Sequence, residues 1–118
     1  MKRALALLFI GSLAACAGND PQSTANNVTR AVYDNDVSAV QPYFDDALRP
    51  QVSRASVGVT SDKMHAMGTY NGLTLLARDT TKNEYTYRAN FSKGTMNVVV
   101  RIDPDGRLAA YRVFPTSS

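Results

Sequence analysis

The sequence predicts an α+β fold, with two or three amino-terminal helices packed on a curved four-stranded antiparallel β-meander. Three observations predict it. Apolar residues recur at helical spacing from Val28 to Leu48. From Gly72 to Phe114 the period changes to that of strands, broken by turn residues at Thr81-Lys82-Asn83, Lys93-Gly94 and Asp103-Pro104-Asp105-Gly106. Pairing the strands about those three turns brings one apolar set to one face, which is what a sheet buried on one side requires.

The elements follow in order. Asn26 or Asn27 caps a first helix carrying Val28, Ala31 and Val32, with Tyr33 alongside, and Asp34-Asn35-Asp36 ends it with turn chemistry. Asp36 caps a second, short helix with Val37 and Val40. Pro42 interrupts or restarts it, and Tyr43, Phe44, Ala47 and Leu48 continue the apolar face to Pro50. A third piece begins at Thr60 or Ser61, has Met64 and Met67 on one side, and ends near Gly68.

In the sheet, a bulged turn with Gly106 left-handed pairs Ile102 with Leu108, Val100 with Ala110, Val98 with Arg112 and Met96 with Phe114. A two-residue Lys93-Gly94 loop pairs Met96 with Phe91 and Val98 with Ala89. A three-residue loop with Asn83 left-handed pairs Tyr87 with Ala77, Ala89 with Leu75 and Phe91 with Leu73. Arg112 then falls among Val98, Ala89 and Leu75, where a buried guanidinium needs a partner such as Asp34, Asp36, Asp45 or an anionic ligand; with β4 at the sheet edge, the favoured alternative is that it snorkels to solvent. Leu76, Val99, Tyr111 and Val113 fall on the opposite, otherwise polar face. Apolar side chains there predict a surface for a second copy or an envelope protein.

The amino terminus carries a different message. Lys2 and Arg3 precede the apolar run Ala4–Ile10, then Gly11 and Ser12, the layout of an export signal. The run falls far short of the roughly 20 residues a membrane-spanning helix needs. It closes on Leu13-Ala14-Ala15-Cys16, which contains the only cysteine. This stretch resembles the lipobox of bacterial lipoproteins. The resemblance implies a signal peptide over residues 1–15 and a diacylglycerol group on the Cys16 thiol, which becomes the first residue of the mature chain. It also implies a membrane-anchored protein facing the periplasm. Ala17 in place of Asp favours the outer membrane over the inner. Two or more acyl chains hold a protein stably on a bilayer. Residues 16–27, CAGNDPQSTANN, read as a flexible tether, and 28–118 as one domain.

The chain of 118 residues carries a formal net charge of +3, but Lys2 and Arg3 leave with a signal peptide. The remaining charges nearly balance and form no basic stripe, which excludes nucleic acid as the expected partner. One cysteine and one histidine, His65, provide neither a disulfide nor a zinc ligand set.

Helices followed by a meander in about 100 residues resemble the NTF2-like (cystatin-like) superfamily, and more closely its small bacterial lipoproteins of unknown function. The residues that carry the resemblance are Tyr33-Asp34-Asn35-Asp36 with Val40 and Tyr43-Phe44-Asp45, then Gly68–Gly72, then Asn97–Leu108. The resemblance implies a pocket between helices and sheet. Enzymes of the superfamily move protons there with a carboxylate, but no Asp or Glu of this chain falls on the core face, so no catalytic residue is assigned. Tyr33, Tyr43, His65 and Arg112 remain as candidate ligand or partner contacts, beside the outer-face set Leu76, Val99, Tyr111 and Val113. The expected function is a lipid-anchored, non-enzymatic envelope protein that binds a protein partner, itself or a small ligand, with no cofactor or metal. The alternatives are a small isomerase- or hydrolase-type enzyme and an envelope immunity-type lipoprotein.

Overall fold

The computed structural model describes residues 20–116. The expected signal peptide, Cys16 and the start of the expected tether lie outside the described residues. Helix α1 spans Pro21–Tyr33, seven residues earlier than the aliphatic periodicity suggested. Asp20 caps it, accepting from the Gln22 N–H at 3.2 Å and the Ser23 hydroxyl at 2.9 Å. Pro21 occupies the first turn, where its missing N–H costs nothing. Residues 21–27 are therefore helix rather than tether. The inward stripe there is Thr24 and Ala25, too small and polar to register as an apolar repeat, yet both are buried.

Helix α1 ends where Asn35 takes a left-handed conformation, φ 57°, and the Asp36 N–H returns to the Ala31 carbonyl. Asp36 caps the one-turn helix α2, Val37–Val40, as its sequence position predicts, and Pro42 restarts the chain as a 3-10 turn, Gln41–Tyr43. Helix α3 spans Arg54–Ala66, starting at a Ser53/Ser56 capping box rather than at Thr60 or Ser61. It stops before Gly68, whose φ of 99° favours glycine. A side chain at Gly68 would also run into Ser92.

The sheet is a meander in the order β1-β2-β3-β4, with β1 Tyr70–Asp79, β2 Glu84–Phe91, β3 Gly94–Ile102 and β4 Leu108–Pro115, all antiparallel. Among the described residues three helices pack against it, an α+β arrangement around one core of Val28, Val32, Val40, Phe44, Met64, Tyr87, Val98, Val100 and Leu108 among others. Asn83 and Gly106 are left-handed, as their turns required.

The registers differ from the expected ones in three places. The β2–β3 turn is Ser92-Lys93, one residue earlier, pairing Phe91 with Gly94 and Val98 with Tyr87. Its N–H groups donate to the carbonyls of Thr69 and Met67, so the turn is fixed by the end of α3 rather than by a turn glycine. That shift preserves the inward set. In β1 the register slips between Tyr70 and Leu73 and again between Leu75 and Ala77. In β4 it slips after Leu108: Ile102 pairs with Leu108, but Arg101 pairs with Ala110, Val100 with Tyr111 and Val98 with Val113. Ala109 is the extra residue of this bulge. Tyr111 and Val113 therefore pack against the core, and Arg112 is exposed opposite Val99. Without the bulge a guanidinium would enter an apolar layer unpaired, at a cost of several kcal/mol.

Candidate functional site

A cavity of about 190 Å³ lies between the helices and β4, lined by Val32, Val40, Phe44, Leu48, Gln51, Val52, Ser56, Val57, Thr60 and Tyr111. Each wall has a local cause. Val32 is on the inward stripe of α1, Val40 ends α2, and Val57 is the first buried residue of α3. Phe44 is pinned by a parallel bridge to Leu108, with the Asp45 N–H donating 3.0 Å to the Leu108 carbonyl. The same Leu108 opens the bulge that brings Tyr111 inward. Phe44 meets the Tyr111 ring edge-on, centroids 5.9 Å apart at 82°.

The polar atoms of the cavity are mostly engaged. Tyr111 and Thr29 of α1 share a 2.9 Å hydrogen bond across the core, and burial holds the Tyr111 phenol well above the ordinary tyrosine range. Thr60 donates to the Ser56 carbonyl and Ser56 to the Gln51 carbonyl. Among the described residues no carboxylate, imidazole, amine or thiol lines the space. Its volume is below the roughly 300–1,000 Å³ of typical small-molecule pockets and close to the roughly 150 Å³ of an apolar cavity that admits benzene. It fits one branched side chain or one ring.

Tyr33 and His65 are brought together, in a different place. Their rings stack with centroids 4.0 Å apart at 13°. The His65 Nε2–H donates 2.7 Å to the Tyr33 carbonyl, which also accepts from the Ser61 hydroxyl at 3.0 Å. Tyr33 is the last residue of α1, so α3 supplies two donors to a carbonyl that the helix leaves unmatched. The Tyr33 hydroxyl in turn donates to the Gly68 carbonyl. These groups join α1, α3 and the entry to β1. Beside them Tyr70 donates 2.6 Å to Asn26 and lies under Arg30, 5.0 Å from ring centroid to guanidinium carbon. Burial pushes its phenol up to about 12, against the opposing charge of Arg30.

The remaining expected contacts are dispersed. Tyr43 is half-buried in the 3-10 turn, and Arg112 points to solvent. The expected outer apolar surface does not form. Tyr111 and Val113 face inward, and Val99 is only 6% exposed between Thr86 and Arg112, leaving Leu76 alone of the four in the open. Of the cavity residues, Phe44 and Leu48 were expected on an apolar helical face and Thr60 at a helix start, none of them as a site residue, and Val52 and Val57 were not placed. The Ser53-x-x-Ser56 capping box was the signal that would have extended that helix back to include Val57. Among the described residues no group of three His, Cys, Asp or Glu side chains is placed to hold a metal ion, and no helix is long and apolar enough to cross a membrane.

Comparison of the chain with protein-family models and with curated proteins finds no match.

Proposed function

We propose that this chain is an envelope lipoprotein, anchored through acylated Cys16, whose domain binds a partner or small ligand by taking one apolar side chain or ring into the cavity over Tyr111. The observation that carries the binding reading is the cavity lining. It offers apolar contact and engaged hydroxyls, and among the described residues no group able to take or give a proton near neutral pH. A proton-transferring enzyme of the isomerase type needs a carboxylate or histidine on that wall. The anchor reading rests on Leu13-Ala14-Ala15-Cys16 behind its apolar run. The order of helices and meander supports an NTF2-like affiliation, and the periplasmic face of the outer membrane is the proposed location.

Two measurements test this. Intact mass of protein purified from membranes carries added acyl groups at Cys16, and a Cys16→Ser form lacks them and leaves the membrane. Unmodified, freely soluble protein overturns the anchor. For the cavity, a small aromatic probe such as indole shifts the methyl resonances of Val40, Val52 and Val57, and Val57→Phe, which fills the space, abolishes the effect. Probe shifts scattered over the surface, or surviving Val57→Phe, sink the binding site.

A further inference from the structure

Two exposed leucines lie beside the point where the chain enters the fold. Leu75 and Leu76 are 41% and 44% exposed on the edge strand β1, Leu75 just before its second register slip and Leu76 within it. The Gln22 side chain, in the first turn of α1, donates 3.2 Å to the Leu73 carbonyl, and Leu75 stands two residues, about 7 Å, further along the strand. Leu75 pairs with Tyr87, whose phenol is pushed up to about 12 by burial, with the charge of Asp20 adding to the shift and that of Arg78 opposing it. The start of α1, Leu75 and Arg78 thus share one corner of the molecule.

The early start of α1 gives that corner its meaning. Only Ala17, Gly18, Asn19 and Asp20 separate Cys16 from Pro21. Even fully extended, the covalent chain from Cys16 to Asp20 reaches no more than about 14 Å. An acyl group on Cys16 therefore holds Asp20, where α1 begins, within that distance of the bilayer, and the leucines start about 7 Å beyond the Gln22–Leu73 contact. We propose that Leu75 and Leu76 form a membrane-docking edge, inserting at the interface of the same bilayer that holds the anchor. This rests on the anchor reading above. The charges fit the location. Arg78 follows the leucines at headgroup level, while Asp20 is engaged as the α1 cap and Asp79 accepts from the N–H groups of Thr81 and Lys82. Glu84, opposite Asp79, marks the far limit of the patch.

The test does not depend on cellular acylation. The chain from Cys16 onward, which retains the whole described core, is coupled through its single thiol to maleimide-bearing lipid in phosphatidylethanolamine–phosphatidylglycerol vesicles. The sequence has no tryptophan, so Leu76→Trp and Val59→Trp each place a sole reporter, the second on the open face of α3, where Val59 is 57% exposed. The expected result is a blue-shifted Leu76→Trp emission that loses most of its intensity to bromine-labelled acyl chains, with Val59→Trp unaffected. In the unsubstituted chain, amide exchange over Thr74–Arg78 slows on coupling while that of α3 does not. An aqueous, unquenched Leu76→Trp, equal quenching of both reporters, or unchanged exchange in β1 overturns the docking edge. A failed anchor is registered separately, by the intact mass.

Discussion

β1 and β4 are the two edges of the sheet, and both abandon strict alternation part-way along. In β4 the slip follows Leu108, whose carbonyl accepts from the Asp45 N–H and whose bridge partner Phe44 runs alongside the strand. Beyond it the helices cover the inner face, so the slip sends Tyr111 and Val113 into the core and Arg112 out. In β1 the second slip follows Leu75, past the point where Gln22 ties α1 to the strand. Beyond that point residues 74–78 are exposed whichever face they occupy. The same backbone irregularity thus resolves a conflict between charge and burial on one edge. On the other it leaves two leucines uncovered. A bulge acquires a direction only where a second layer stands to receive what it turns inward.

Substitutions break or sharpen that contrast. Tyr111→Ala removes a buried ring, its bond to Thr29 and one wall of the cavity, and is expected to cost about 3–5 kcal/mol in urea unfolding. Arg112→Ala, next in sequence, is expected to change stability by less than about 0.5 kcal/mol. Equal effects would mean that the β4 bulge is not there. Alkaline unfolding comes next. The phenols of Tyr70, Tyr87 and Tyr111 are all raised by burial, so the native state keeps their protons after the unfolded chain has lost its own. Stability is then fully present below pH 10 and falls as pH rises toward about 12. Tyr111→Phe should make that decline shallower, as seen in unfolding midpoints across the range. Ser61→Ala is expected to cost about 1 kcal/mol, because it removes one of the two donors on the Tyr33 carbonyl. The smallest effect is expected at Leu76→Lys, within about 0.5 kcal/mol by thermal unfolding, since β1 has no layer over that residue.

The contrast also marks what the sequence could reveal. The meander, its order, the left-handed Asn83 and Gly106 and the Asp36 cap were legible because each is specified locally, by a turn residue or a cap. The inward set of β2 and β3 was legible too, since it survives a two-residue change of register. The bulges were not, because nothing in Leu108-Ala109-Ala110-Tyr111 distinguishes the residue that is skipped. The choice is made by Phe44 and Asp45, far away in sequence. For the same reason the expected register turned Tyr111 outward and Arg112 inward, although the exposure of Arg112 agrees with its expected snorkelling at the sheet edge, and the pocket expected between helices and sheet was not assigned its lining residues. The start of α1 was hidden by composition. Its buried stripe uses Thr24 and Thr29, residues that read as polar until a partner such as Tyr111 is in place.

The hydrogen bond between Thr29 and Tyr111 joins residues 82 apart in the chain, whereas every strand pairing joins neighbours in sequence. Closing a short loop costs less chain entropy than closing a long one. The hairpins can therefore assemble by themselves, and the contact that seals the first helix to the last strand is made after them. Folding should then be limited by the hairpins and unfolding by this seal. Tyr111→Phe is expected to speed unfolding while leaving the refolding rate almost unchanged in stopped-flow kinetics. The cavity floor would be the last part of the protein to form and the first to open.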